Sequence, residues 1–186
     1  MEPNRILDSA DKPAEEKEVL TLLHHAAYED KTEVIPFLLD HGYDVNVVTN
    51  KGFTPLHSAT LKNRHQAMKL LLENGAKPNP RNDLGGTPLL YAALDDRVET
   101  AKVLLQHGAI VDVPDHNGAT ALHIAAESGS CKIVRLLLAH GANAQSKDNS
   151  GKTPLNIATA AVALILRHHL DRQAKPKTKL PPGGNN

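Results

Sequence analysis

The apolar positions of this chain fall into short clusters that return at a fixed distance, with turn-forming residues between them. Across residues 54–86, Leu56 and Ala59 share one helical face, and Ala67, Leu70 and Leu71 then repeat at helical spacing. From Ala76 to Gly86 the chain is rich in Pro, Asn and Gly, which predicts a projecting, hairpin-like loop. Thr54 is placed to cap the first helix with its hydroxyl, and Pro55 takes the first helical position, where a missing N–H costs nothing. That helix is expected to stop near Asn63. A second should run from about His65 to Asn74 and end at Gly75.

The same pattern recurs every 33 residues. Thr21, Thr54, Thr87, Thr120 and Thr153 open the phrases Thr-Leu-Leu-His, Thr-Pro-Leu-His, Thr-Pro-Leu-Leu, Thr-Ala-Leu-His and Thr-Pro-Leu-Asn. Gly42, Gly75, Gly108 and Gly141 keep the same interval, each closing a leucine-rich run, and Gly52, Gly85, Gly118 and Gly151 stand in register within the loops. The counterparts of Asn63 are Asp30, Asp96 and Gly129, residue types that tolerate the left-handed conformation of a helix C-cap. Period and phrase resemble the ankyrin repeat over roughly residues 19–170. The resemblance implies an all-α solenoid of paired antiparallel helices with projecting β-turn loops. It implies five units, about 19–49, 50–82, 83–115, 116–148 and 149–170.

The ends depart from the repeat as caps would. Residues 1–18 read as an acidic arm that begins a capping helix, and a continuous first helix from about Pro13 to Tyr28 is expected. At the other end, Ile157 to Leu166 reads as a buried terminal helix, in a fifth unit about four residues short that lacks the Asp, Asn or Gly break. Residues 171–186 read as a disordered basic tail in which Lys175, Lys177 and Lys179 form a weak nuclear-import candidate, with a solvated tether as the simpler reading. Pro36 breaks a local rule inside the second helix of its unit. If Thr32 caps that helix, Pro36 removes only its first internal hydrogen bond.

Composition narrows the class. Of 186 residues 40% are hydrophobic and only 3% aromatic, with no Trp, which suits a core of small aliphatic side chains. Formal charge is zero, but residues 1–18 carry six acids against three bases and residues 171–186 four bases against one acid. The repeats between are neutral in sum, which argues against binding nucleic acid through a broad basic face. Cys131 is the only cysteine, so no intramolecular disulfide is possible and a reducing compartment, cytoplasmic or nuclear, is expected. The longest apolar stretch is ten residues, about half of the roughly 20 that a membrane-crossing helix needs.

Eleven histidines invite a metal or a general base. Register removes most of them: His24, His57 and His123 hold the fourth place of the phrase, while His41, His107 and His140 precede the closing glycine. Equivalent places in neighbouring units lie about 8 to 10 Å apart by helix packing, too far to share an ion whose ligands sit about 2 Å from it. Gly85-Gly86 lacks a phosphate-loop phrase, Cys131 has no motif around it, and Asp95 with Asp96 caps a helix end. No catalytic residue, cofactor or metal site is expected.

In ankyrin-like proteins the seventh and eighth places after the motif threonine face the concave groove. Here they are Tyr28-Glu29, Leu61-Lys62, Leu94-Asp95 and Glu127-Ser128, so three consecutive units carry a large apolar side chain at a commonly polar place. Phe53 and Leu84 add apolar loop tips, which makes Tyr28, Phe53, Leu61, Lys62, Leu84, Leu94 and Asp95 the expected partner-binding residues. The alternative is that they fold back over the short helices. The resemblance implies a non-catalytic adaptor or regulatory subunit, monomeric when free, that binds another protein and neither nucleic acid nor membrane. Small ankyrin inhibitors of cyclin-dependent kinases are one more specific likeness, although their second unit has a shortened first helix and Ser58 to Lys62 here is full length. Ankyrin inhibitors of transcription factors are another, set back by their greater length and acidic tail.

Overall fold

Each motif threonine starts a helix for a local reason: its backbone is extended and its side-chain oxygen meets the first turn. A computed structural model describes residues 21–174. Their helices form five pairs: α1 (Leu22–Tyr28) with α2 (Val34–Asp40), α3 (Pro55–Leu61) with α4 (His65–Glu73), α5 (Pro88–Leu94) with α6 (Val98–Gln106), α7 (Ala121–Ser128) with α8 (Cys131–Ala139), and α9 (Pro154–Ile157) with α10 (Ala160–Ala174). Thr21, Thr54 and Thr87 accept from the backbone N–H of His24, His57 and Leu90. Such a cap contributes about 1 kcal/mol.

Between the two helices of a pair, Asp30, Asn63 and Asp96 take φ of 58°, 58° and 52°, and Gly129 takes 77°. The left-handed residue turns the chain back on itself, and at two places its side chain also reaches the next unit. Asp30 Oδ1 accepts from the N–H of Ala67 at 3.0 Å, and the Thr100 hydroxyl donates to Asn63 Oδ1 at 2.6 Å. The second helices end at Gly75 and its counterparts with φ near 85°, where a Cβ would be strained.

The first helices pack in one row and the second helices in another. Leu23, Leu56, Leu89 and Leu122 of the phrase lie in the first row, and Ile35, Met68, Leu71, Leu104, Ile133 and Leu137 close the space from the second. All ten are almost wholly buried. Removing any one leucine to alanine should cost about 2 to 5 kcal/mol through lost burial and an unfilled cavity.

The loops form a ladder of turns. Within each, one N–H returns to close the turn, as Thr49 N to Phe53 O and Asn82 N to Gly86 O. Between loops, Asp83 N donates to Lys51 O, His116 N to Leu84 O and Asn149 N to Asn117 O. Side chains clamp the bases of the loops: Asn46 Nδ2 donates to Gly75 O and its Oδ1 accepts from Lys77 N, and Asn79 does the same with Gly108 O and Ile110 N. Asp112, in the same register, accepts from Asn143 N but has no donor for the next glycine carbonyl.

The ends differ from expectation. Thr21 is extended (φ −83°, ψ 164°), so α1 begins at Leu22 and is not the continuation of a helix from Pro13; the segment before Thr21 lies outside the described residues. The capping geometry itself demands that break. The apolar run 157–166 is likewise not one helix. Ala158 is extended (φ −70°, ψ 144°), Thr159 N donates to Ala126 O, and α10 starts afresh at Ala160. Only Val162 and Leu166 of α10 are fully buried, and Leu164 faces outward. α10 also continues to Ala174, four residues past the expected end of the repeats, and no Pro or Gly interrupts that run. The three tail lysines lie outside the described residues. Pro36 sits in the first turn of α2: Ile35 N still donates to Lys31 O, so the bond that Pro36 cannot make is the next one, to Thr32 O, and the cost is confined to the start of the helix.

Candidate protein-binding surface

The phrase histidines fasten one unit to the next. His24 Nε2 donates to Phe53 O at 2.8 Å, His57 Nε2 to Gly86 O at 3.1 Å and His123 Nε2 to Lys152 O at 3.1 Å. The opposite nitrogen, Nδ1, accepts from the N–H of Thr54 in the second unit and of Thr120 in the fourth. That pattern fixes the neutral Nε2–H tautomer. Burial pushes the His57 imidazole down to about 4 against the opposing hydrogen bond to Gly86, and burial lowers His24 as well. These rings are structural fasteners, with both nitrogens committed. In the third unit Leu90 stands in this place and is buried, and in the fifth Asn156 accepts from Thr153 N and its hydroxyl. Among the described residues no three His, Cys, Asp or Glu side chains converge on a common point.

The ladder residues sit where the first helices end. Tyr28 is the last residue of α1 and is 38% exposed; the Lys62 ammonium lies 4.6 Å from its ring centre, and Arg64 Nε donates to its carbonyl. Beside it a pocket of about 240 Å³ is lined by His24, His25, Tyr28, Glu29 and Ser58. Leu61, ending α3, is half-buried, whereas Leu94, ending α5, is 56% exposed. Asp95 beside it pairs with Arg97 at 3.2 Å across open surface, an arrangement that contributes little to stability. Glu127 and Ser128 continue the line in exposed positions.

The two loop tips behave differently. Leu84 projects, 71% exposed, on a turn held by Asn82 Oδ1, which accepts from the N–H groups of Leu84 and Gly86. Phe53 is half-buried, with its ring centre 5.3 Å from that of His57 and 5.6 Å from that of Tyr91. The Tyr91 hydroxyl accepts from Asn82 Nδ2 at 2.6 Å, and a Cβ on Gly86 would come within 3.0 Å of the Tyr91 ring. The glycine thus admits the tyrosine, and the tyrosine supports Phe53. Tyr28, Leu61 and Leu94 follow one another along the first-helix row, with Leu84 on the loop side. His25 and Ser58 were not singled out from the sequence; they hold the same register place in adjacent units, and that periodicity was the available signal.

Exposed apolar side chains occur elsewhere too, as Val34 and Phe37 on α2, Val48 and Ile110 on loops and Leu164 on α10. No helix of the described residues is long and apolar enough to cross a membrane.

Two rows of short helices joined by a ladder of turns, with every fastening side chain in one register, define a repeat solenoid. A family model described as ankyrin repeats, in three copies, matches residues 4–82, 79–148 and 115–176. The chain belongs to the ankyrin repeat family. The first match begins ahead of residue 19, where the register placed the start of the repeats. A search of curated proteins finds no match. Ankyrin repeats are generally protein–protein interaction modules.

Proposed function

We propose that this chain is a non-catalytic adaptor or regulatory subunit that captures another protein on the concave side of its first three units. The observation that carries this reading is the run of large apolar side chains at successive helix ends, Tyr28, Leu61 and Leu94, with Leu84 beside it. Burial does not require them there, because Leu23, Leu56, Leu89 and Leu122 already fill the core. Exposed apolar groups with a charged rim of Glu29, Lys62 and Asp95 suit an interface whose centre is apolar and whose edge is wet. Phe53 and Leu61 flank that centre rather than protrude from it. Helix α3 has seven residues, like α1 and α5, which favours a general adaptor over the kinase-inhibitor type with its shortened second unit.

Affinity capture from a cell extract tests the proposal with three baits: the wild-type chain, the double variant Leu84→Glu/Leu94→Glu, and the control Phe37→Glu on α2. A partner retained by wild type and control but lost from the double variant, at unchanged melting temperature, supports it. A protein kinase in that set would select the regulatory-subunit form. Equal capture by all three baits contradicts the proposal, and a collapsed melting temperature in the double variant would show that these residues belong to the core.

A further inference from the structure

The second-helix row ends in a groove whose chemistry differs from the rest of the molecule. Between α8 and α10 lies a cleft of about 500 Å³, lined on the α8 side by Arg135, Leu138 and Ala139 and on the α10 side by a stripe from Ile165 to Gln173. The stripe includes His168, His169 and Arg172. The α8 residues recur at i, i+3 and i+4, and those of α10 at i, i+3, i+4, i+7 and i+8, so each helix turns one face into the cleft. Leu138 and Ile165 are half-buried and supply an apolar floor, while Arg135 and Arg172 stand exposed.

No carboxylate lines this groove. Among the described residues neither Arg135 nor Arg172 has an ion-pair partner; the pairs present are Arg97 with Asp95 and Lys102 with Glu99. In a chain of zero formal charge this is a local excess of two fixed positive charges, and Lys175, Lys177 and Lys179 follow α10 in the sequence. The groove exists because the extended residue Ala158 and the short α9 bring α10 onto α8 as a fifteen-residue helix. The ladder residues lie on first-helix ends and loops, so this is a separate surface.

We propose that the α8–α10 groove docks an acidic segment of a protein, one that sets an apolar side chain on Leu138 and Ile165 and directs carboxylates to Arg135 and Arg172. Guanidinium groups suit carboxylates because their donors match both oxygens at once. The floor of Leu138 and Ile165 seats an apolar side chain, and the lining holds no Phe, Tyr or Trp on which successive bases would stack, which favours a peptide over single-stranded nucleic acid.

The test uses the full chain and fluorescein-labelled synthetic probes read by anisotropy: a short peptide alternating paired glutamates with leucine, its lysine-for-glutamate counterpart, an all-glutamate peptide of the same length, and a short single-stranded RNA. The glutamate–leucine peptide should bind best, and its affinity should fall with added salt. Arg135→Glu/Arg172→Glu should weaken it by about tenfold or more. Both arginines are exposed, so the variant should melt like wild type, and Leu84→Glu/Leu94→Glu should bind the probe unchanged, which keeps this test independent of the partner surface proposed above. Failure of the glutamate–leucine peptide to bind, equal binding by the charge-reversed variant, or equal or tighter binding of any other probe would overturn the proposal.

Discussion

Acidification should unfasten the second unit, and the size of the effect follows from one ring. His57 is neutral in the fold, with Nδ1 accepting from Thr54 N and Nε2 donating to Gly86 O. Its pKa is pushed down from 6.5 to about 4, chiefly by burial. Because the folded value lies below the unfolded one, the unfolded chain takes up the proton first, so stability is complete above about pH 6.5 and is lost as pH falls towards 4. At about 1.4 kcal/mol per pH unit, moving from about pH 7.5 to about pH 5 should cost roughly 2 kcal/mol, and the full window roughly 3. His24, lowered by burial, adds a loss of the same sign. The assay is urea denaturation at the two pH values, for wild type and for His57→Leu, which copies the buried leucine that the third unit carries at this place. The variant should be less stable at neutral pH yet lose less on acidification. The exposed Asp148, lowered mainly by the Ser150 hydroxyl, acts only below its own unfolded range near pH 4 and leaves this window clear. Equal losses in the two proteins, or wild-type stability that stays flat down to pH 5, would refute the assignment of His57 as a neutral fastener.

Two further substitutions test the packing account. The Thr60 hydroxyl is buried and meets no partner among the described residues, so Thr60→Val should leave stability unchanged or raise it by about 0.5 to 1 kcal/mol, read as a urea midpoint; a clear loss would reveal a hydrogen bond the structure does not contain. Asp112 accepts from Asn143 N but offers no donor to the Gly141 carbonyl, whereas Asn46 and Asn79 complete both bonds in their units. Asp112→Asn should therefore raise the melting temperature, by a gain of about 0.5 to 1 kcal/mol, and an unchanged or lower value would show that the clamp contributes nothing there.

Much of the fold could be read along the chain because its decisive interactions are local. A threonine cap needs only the N–H three residues on, and the left-handed turns at Asp30, Asn63, Asp96 and Gly129 need only a residue type that tolerates them. What escaped the sequence depends on contacts between units. The break at Ala158 carries no breaker of its own; it is held where Thr159 N meets Ala126 O, a full unit away in the chain. The resting place of Phe53 was similarly hidden, since its ring is seated by Tyr91, which Gly86 lets approach. Tyr28, Leu61 and Leu94 were legible as a ladder because the register places them at equivalent helix ends. Their different degrees of exposure were not, because each depends on the side chain that the neighbouring unit presents.

The central claim is that the first-helix ends of the first three units receive a partner protein. Hydrogen–deuterium exchange on the purified complex, compared with the chain alone, tests it most directly. Slowed exchange should centre on residues 28–31, 61–64 and 94–97, with the turn at 83–86, while the second helices α2, α4 and α6 exchange as before. Protection confined to the second-helix row, with those helix ends unchanged, would contradict the claim.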